Sequence, residues 1–127
     1  MSESSEVGVD RFAQSLGVEV MCRSFDQAIC RITVGAEQRN ALGGIHGGLI
    51  FSLADMAFAA ACNAGDGVFI GMQAEIRYMA GVRGEALTAT ATRVGGSKKF
   101  AHYEVWVTDG RGHRIALFTS TAYKLSD

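Results

Sequence analysis

His46-Gly-Gly-Leu-Ile-Phe-Ser-Leu-Ala-Asp55-Met-Ala-Phe-Ala-Ala-Ala-Cys62 is the stretch on which the fold turns. Its Ala, Leu and Met content gives it high helix propensity. It is apolar nearly all round, which marks a helix buried on most faces rather than one lying on a surface. Small residues at Ala54, Ala57, Ala59, Ala60 and Ala61 let other backbone come close. At 17 residues with Asp55 near its middle, it is too short and too charged for a comfortable membrane span.

Around this helix the patterns are strand-like. Residues 18–23 and 28–34 read as two strands joined through Asp26–Gln27, after a short helix at 10–16 that Asp10 caps and Gly17 closes. Residues 35–45 are polar and glycine-bearing, a loop. Beyond a turn-rich break at 63–67, the stretches 68–79, 85–94, 100–108 and 114–123 are rich in Val, Ile, Thr and aromatics. Leu87-Thr-Ala-Thr-Ala-Thr92 alternates with period two, and Asp109-Gly-Arg-Gly112 is a hairpin turn. Four consecutive strands without helical crossovers disfavour a parallel α/β arrangement and predict a four-strand meander. The expected fold is α+β, one antiparallel sheet wrapped around one long central helix.

The whole chain sets bounds. Its 127 residues fit a single domain over 1–127, with 1–8 as a loose tail. A 48% hydrophobic content supports a packed core, and a net charge of −1 argues against a nucleic-acid partner. No basic or apolar leader opens the chain, so a soluble cytoplasmic protein with no membrane partner is expected. Cys22, Cys30 and Cys62 are odd in number and lack CxxC spacing, which reads as free thiols. His46, His102 and His113 show no ligand spacing, so neither a metal nor a redox cofactor is expected.

Asp55 is the residue that demands a reason. A carboxylate in so apolar a helix costs several kcal/mol unless it is paired or hydrogen-bonded. Either neighbouring donors satisfy it, or it is a general base or nucleophile with a raised pKa. Gly47 and Gly48 open the same helix, where backbone N–H groups at the positive end of the dipole can hold a developing oxyanion. Gly47 and Asp55 are eight residues apart, roughly 12 Å at ~1.5 Å per residue. One carbonyl cannot meet both from a single helix. If both serve one reaction, they come from two subunits whose helices lie antiparallel across a two-fold axis.

His46-Gly47-Gly48 with an acid nine positions after the histidine resembles the hotdog-fold thioesterase superfamily. The run through Asn63, continuing in Ile76-Arg-Tyr78 and Gly84-Glu-Ala-Leu87, looks most like its phenylacetic acid degradation (PaaI-type) branch. The resemblance implies a hotdog acyl-CoA thioesterase whose substrate is an aryl- or arylacetyl-CoA, phenylacetyl or its hydroxylated forms, or a medium-chain acyl-CoA. It makes Asp55 the catalytic acid, as base or nucleophile, and Gly47 the N–H that polarises the thioester. Asn40, six residues before the histidine, becomes the amide that helps place nucleophile or substrate. His46 is expected to brace the loop, with Gly48 beside it at the substrate. Lys98 and Lys99, in Gly96-Ser-Lys-Lys99, match a segment that contacts the nucleotide of coenzyme A, with Arg83 a weaker candidate. Coenzyme A is then part of the substrate, and the assembly a dimer or dimer of dimers. Two departures stand out: Gly71 where some relatives carry Ser or Thr, and Ala80-Gly81-Val82 where a proline is usual. A non-catalytic acyl-CoA-binding module and a hotdog hydratase or dehydratase are the alternatives.

Overall fold

The central helix starts at His46, because the imidazole Nδ1 accepts the N–H of Gly48 at 2.9 Å and satisfies a first-turn donor that has no partner within the helix. In this computed structural model, which describes residues 9–126, the helix runs over Gly47–Cys62 (α2). The tail expected at 1–8 lies outside the described residues. Both ends of α2 are pinned from afar. Tyr78 Oη donates to the Gly47 carbonyl at 3.0 Å. Arg23 donates from Nε to Ala60 O at 2.9 Å and from Nη2 to Asn63 O at 2.7 Å, placing a cation at the negative end of the helix dipole. Asn63 then ties the helix end to the next strand, donating to Phe69 O and accepting from Phe69 N.

Ahead of α2 come α1 (Arg11–Leu16), β1 (Glu19–Arg23) and β2 (Gln27–Thr33); after it come β3 (Val68–Tyr78), β4 (Ala86–Gly96), β5 (Phe100–Asp109) and β6 (Arg114–Ser126). Asp10 caps α1 by accepting from Ala13 N, and Gly17 closes it at φ 79°, as expected. The six strands form one antiparallel sheet in the order β1-β2-β4-β5-β6-β3. The predicted four-strand meander is corrected here. Of those four strands only β4, β5 and β6 run as neighbours in sequence order; β3 lies beyond β6 at the sheet's edge. The chain leaves α2 into β3 on the far side of the sheet, and the segment after Tyr78 carries it back to β4.

Alternation decides which face meets the helix. Leu87, Ala89 and Ala91 of β4 are fully buried, while Thr88, Thr90 and Thr92 point away. Facing them, α2 buries Leu49, Ile50, Leu53, Ala54, Ala57, Phe58 and Ala61. Phe58 packs edge-on to Tyr103 at 5.6 Å between ring centroids and tilted against Phe118 at 6.2 Å. Cys22, Cys30 and Cys62 are free; Val20 rather than Cys22 stands opposite Cys30, and Cys22 opposes Ile29. Burial pushes the Cys30 thiol up to about 11 and the Cys62 thiol up to about 12, so both are inert packing residues. No helix among the described residues is long and apolar enough to cross a membrane.

Candidate active site

One face of α2 is left uncovered. Leu53, Ala54, Met56, Ala57 and Phe58 are buried, but Gly48 and Asp55 are exposed, and Phe51, Ser52, Ala59 and Ala60 are half-buried. These residues recur at helical spacing and form one stripe. The expectation of a helix buried on most faces therefore holds only for the side under the sheet. A single six-stranded sheet covers half of a helix, and the apolar remainder faces outward around Asp55.

Asp55 itself meets no hydrogen-bond or ion-pair partner among the described residues. Its carboxyl is held above the ordinary value, first by the desolvating apolar surface beside it and second by the negative charge of Asp10. A carboxylate without donors and with a raised pKa is suited to accept a proton.

At the helix start, the two glycines divide the work. The Gly48 N–H is taken by His46 Nδ1, so that imidazole nitrogen is unprotonated and the ring braces the helix entry. The N–H of Gly47 finds no acceptor among the described residues. A side chain at 47 would meet the Tyr78 ring, with Cζ 3.4 Å and Oη 3.5 Å from a Cβ placed there. Tyr78 was not singled out as a site residue, because a contact across 31 residues leaves no local signal.

Asn40 sits on the loop that feeds the helix. His46 N donates to Gln38 O at 3.1 Å, and Arg39 and Ile45 bridge, which folds 38–40 back alongside 44–46. The Asn40 Oδ1 accepts from Leu42 N at 3.0 Å and Gly44 N at 3.1 Å, with Gly43 at φ 84° completing the turn. Its carboxamide oxygen is thus committed to the loop, and Nδ2 is the half that can reach a ligand.

Lys98 and Lys99 occupy the β4–β5 turn, and β6 adds Lys124, whose N–H donates to Lys99 O at 2.8 Å. Together with Leu125 and Ser126 they line a groove of about 120 Å³. Lys124 was not foreseen, since it lies 25 residues from Lys99 and joins it only through the sheet. Arg83 lies elsewhere, in a cleft with His113 and Arg114. His102 bonds Thr121 and His113 approaches Asp109 at 3.6 Å. No group of three metal-ligating side chains occurs among the described residues.

Within one chain these parts do not converge. Asp55 and the Gly47 N–H are on one helix, about two turns apart. Residues 42–115 match the thioesterase superfamily model. The chain is 31% identical to the acyl-coenzyme A thioesterase PaaI of Escherichia coli over 91% of its own length and 84% of that protein. It is 34% identical to a putative esterase of Archaeoglobus fulgidus over 93% of its own length and 77% of that protein. Among solved structures, a Thermus thermophilus protein superposes with a TM-score of 0.87 at 32% identity, covering 93% of this chain and all of that one. The Escherichia coli PaaI protein from the phenylacetic acid degradation operon superposes with a TM-score of 0.85 at 30% identity, over 91% and 85%. The exposed acid on an apolar helix, the free amide at its tip and these matches agree: the chain belongs to the thioesterase superfamily, in its PaaI-type branch, as a hotdog-fold thioester hydrolase.

Proposed function

We propose that the protein hydrolyses aryl-, arylacetyl- or medium-chain acyl-CoA to a free acid and coenzyme A, at sites that two copies build together. The observation that carries this reading is the pairing on α2 of a carboxylate, Asp55, and an N–H, Gly47, both without a hydrogen-bond partner among the described residues and too far apart to serve one carbonyl alone. Two α2 helices packed antiparallel through their uncovered stripes set Asp55 of one copy beside the Gly47 amide of the other. Edge strand β3 supports the same assembly: among the described residues it pairs only with β6, and it exposes Ile70 and Met72, an edge that a second β3 can extend.

In the reaction, Asp55 removes a proton from water as the oxygen attacks the thioester carbon; alternatively its carboxylate attacks and the resulting anhydride is hydrolysed. Charge develops on the carbonyl oxygen and is met by the Gly47 N–H, whose helix dipole points the right way. Collapse of the tetrahedral centre breaks the carbon–sulfur bond; the thiolate takes the proton held by Asp55 in the general-base route, or one from water in the anhydride route. Asn40 Nδ2 orients the nucleophile or the substrate, and Lys98 and Lys99 offset the phosphate charge of coenzyme A. Protein groups and water suffice for these steps.

Free-thiol release across a panel of acyl-CoAs tests the proposal. Asp55→Asn should lose about 10²- to 10⁴-fold in kcat while still unfolding cooperatively and no earlier than wild type. Undiminished turnover in that variant would remove Asp55 from the reaction; binding without thiol release by the wild type would make the protein a binding module instead.

A further inference from the structure

Gly47 carries the amide that the proposed reaction uses, yet nothing in glycine itself aims that amide. A residue without a side chain turns freely about both backbone torsions, and a first-turn N–H has no intrahelical acceptor to fix its direction. The aim comes from the two peptide units that meet at Gly47. In the first, between His46 and Gly47, the carbonyl is held from within the helix: His46 O accepts Leu49 N at 3.0 Å and Ile50 N at 3.4 Å. In the second, between Gly47 and Gly48, side chains hold both poles. The Gly48 N–H goes to His46 Nδ1 at 2.9 Å, and the Gly47 carbonyl accepts from Tyr78 Oη at 3.0 Å.

These two side-chain ties differ in kind. His46 is the helix's own cap, so its bond is local to the helix entry. Tyr78 ends β3, opposite Ala116 of β6, and Met79 N beside it donates to Ile115 O at 2.8 Å. Its phenol therefore fastens the helix tip to the sheet. The ring also lies where a side chain at 47 would be, with Cζ 3.4 Å from a Cβ placed there. One side chain thus fills the space beside the glycine and fixes its carbonyl. Polar satisfaction does not call for this bond. A first-turn carbonyl accepts the N–H four residues on, so Tyr78 uses its second lone pair, and a hydroxyl on a residue 52% exposed can bond water instead.

Resting on the function proposed above, we propose that Tyr78 is a positioning residue of the reaction: its hydroxyl clamps the Gly47–Gly48 peptide to the sheet and so holds the Gly47 N–H in line with the carbonyl oxygen on which charge develops. Tyr78 acts through Gly47 and touches no reacting atom. A donor aligned beforehand needs no reorganisation when the oxyanion forms, whereas a swinging one must first be ordered.

Tyr78→Phe is the test, because it keeps the ring beside Gly47 and removes only the donor. It should lower kcat about tenfold, the worth of one net hydrogen bond. KM should stay within about twofold, since the lost alignment matters in the transition state. A cycle with Gly47→Pro separates this route from any other: with no N–H at 47 there is nothing to aim, so adding Tyr78→Phe to Gly47→Pro should change kcat by less than about twofold. A Tyr78→Phe enzyme as fast as wild type, or the same loss in both backgrounds, would overturn the proposal. Backbone amide NMR relaxation reads the clamp without turnover. In Tyr78→Phe the Gly47 amide should lose order, seen as a lower order parameter or exchange broadening, while Leu53 and Ala57 further along α2 keep theirs. No thiol release by wild type with a loosened Gly47 amide in the variant refutes the hydrolase and leaves the clamp. Thiol release by wild type with an unchanged Gly47 amide in the variant refutes the clamp alone.

Discussion

Gly47→Pro isolates one hydrogen. Gly47 is the first residue of α2, the position where proline is tolerated because its missing N–H has no intrahelical acceptor. The residue before a proline must be extended, and His46 already is, with φ −64° and ψ 130°. A Cβ at 47 meets the Tyr78 phenol at 3.4 to 3.6 Å, ordinary contact, so Tyr78 can keep its place. The His46–Gly48 bond is untouched. Stability should therefore change by no more than about 1 kcal/mol, the loss of glycine's freedom in the unfolded chain offsetting the tighter contact. Catalysis should suffer far more. Removing one oxyanion donor costs about 10²- to 10³-fold, some 2.7–4 kcal/mol, and the loss should fall on kcat because the interaction strengthens in the transition state. Gly47→Ala is the control: it adds carbon at the same place but keeps the N–H, and should stay within about tenfold of wild type. The assay is thiol release at saturating acyl-CoA beside a thermal melt. A proline variant as active as wild type, or an alanine variant as impaired as proline, would refute the role given to this amide.

Other outcomes follow from Asp55, Asp109 and Gly71. The Asp55 carboxyl is held above its ordinary value, so its contribution to stability is full below that value and is lost as pH rises through the raised one. At neutral pH Asp55→Asn should thus melt slightly higher, by at most about 1 kcal/mol or roughly 3 °C given its exposure, while the acid limb of kcat/KM in wild type sits above the ordinary aspartate range. Asp109 has the opposite sign: burial pushes its carboxyl up, but the N–H groups of His113, Arg111 and Arg83 and the nearby imidazole outweigh this and leave it lowered. Its stabilisation is present above the ordinary aspartate value and is lost as pH falls through the lowered one, so melting of the wild type should drop steeply in acid and Asp109→Asn should flatten that drop. A Cβ at Gly71 would lie 3.1 Å from the Phe58 ring, so Gly71→Ala should destabilise by about 1–2 kcal/mol in chemical denaturation. Any side chain at 71 requires the Phe58 ring to yield by a few tenths of an ångström.

The elements that local chemistry governs are legible in the sequence. Helix α2 and its bounds follow from composition and from a cap two residues from its target; the β4 alternation and the turn at 109–112 follow from period and glycine. What escaped depends on distant pairs. The place of β3 beyond β6 rests on backbone pairing across some 40 residues, such as Ile76 with Phe118, and nothing in either strand's pattern names its neighbour. The anchoring of α2 by Tyr78 and Arg23 spans 31 to 40 residues for the same reason. The sequence singles out Asp55 as a candidate reactive group but reads it as buried, whereas it is exposed. A helix apolar all round reads the same whether its own sheet or a second copy covers it. Lys124 joins Lys98 and Lys99 only where separate elements meet at one groove.

Subunit complementation tests the shared site most directly. Asp55→Asn and Gly47→Pro chains, each inactive alone, are unfolded together in equal amounts and refolded. In the mixed pair, Asp55 of the proline chain faces the intact Gly47 amide of the asparagine chain, one complete site of two. Half the pairs are mixed, so the account predicts recovery to about a quarter of wild-type activity. A refolded mixture no more active than its parents would contradict it.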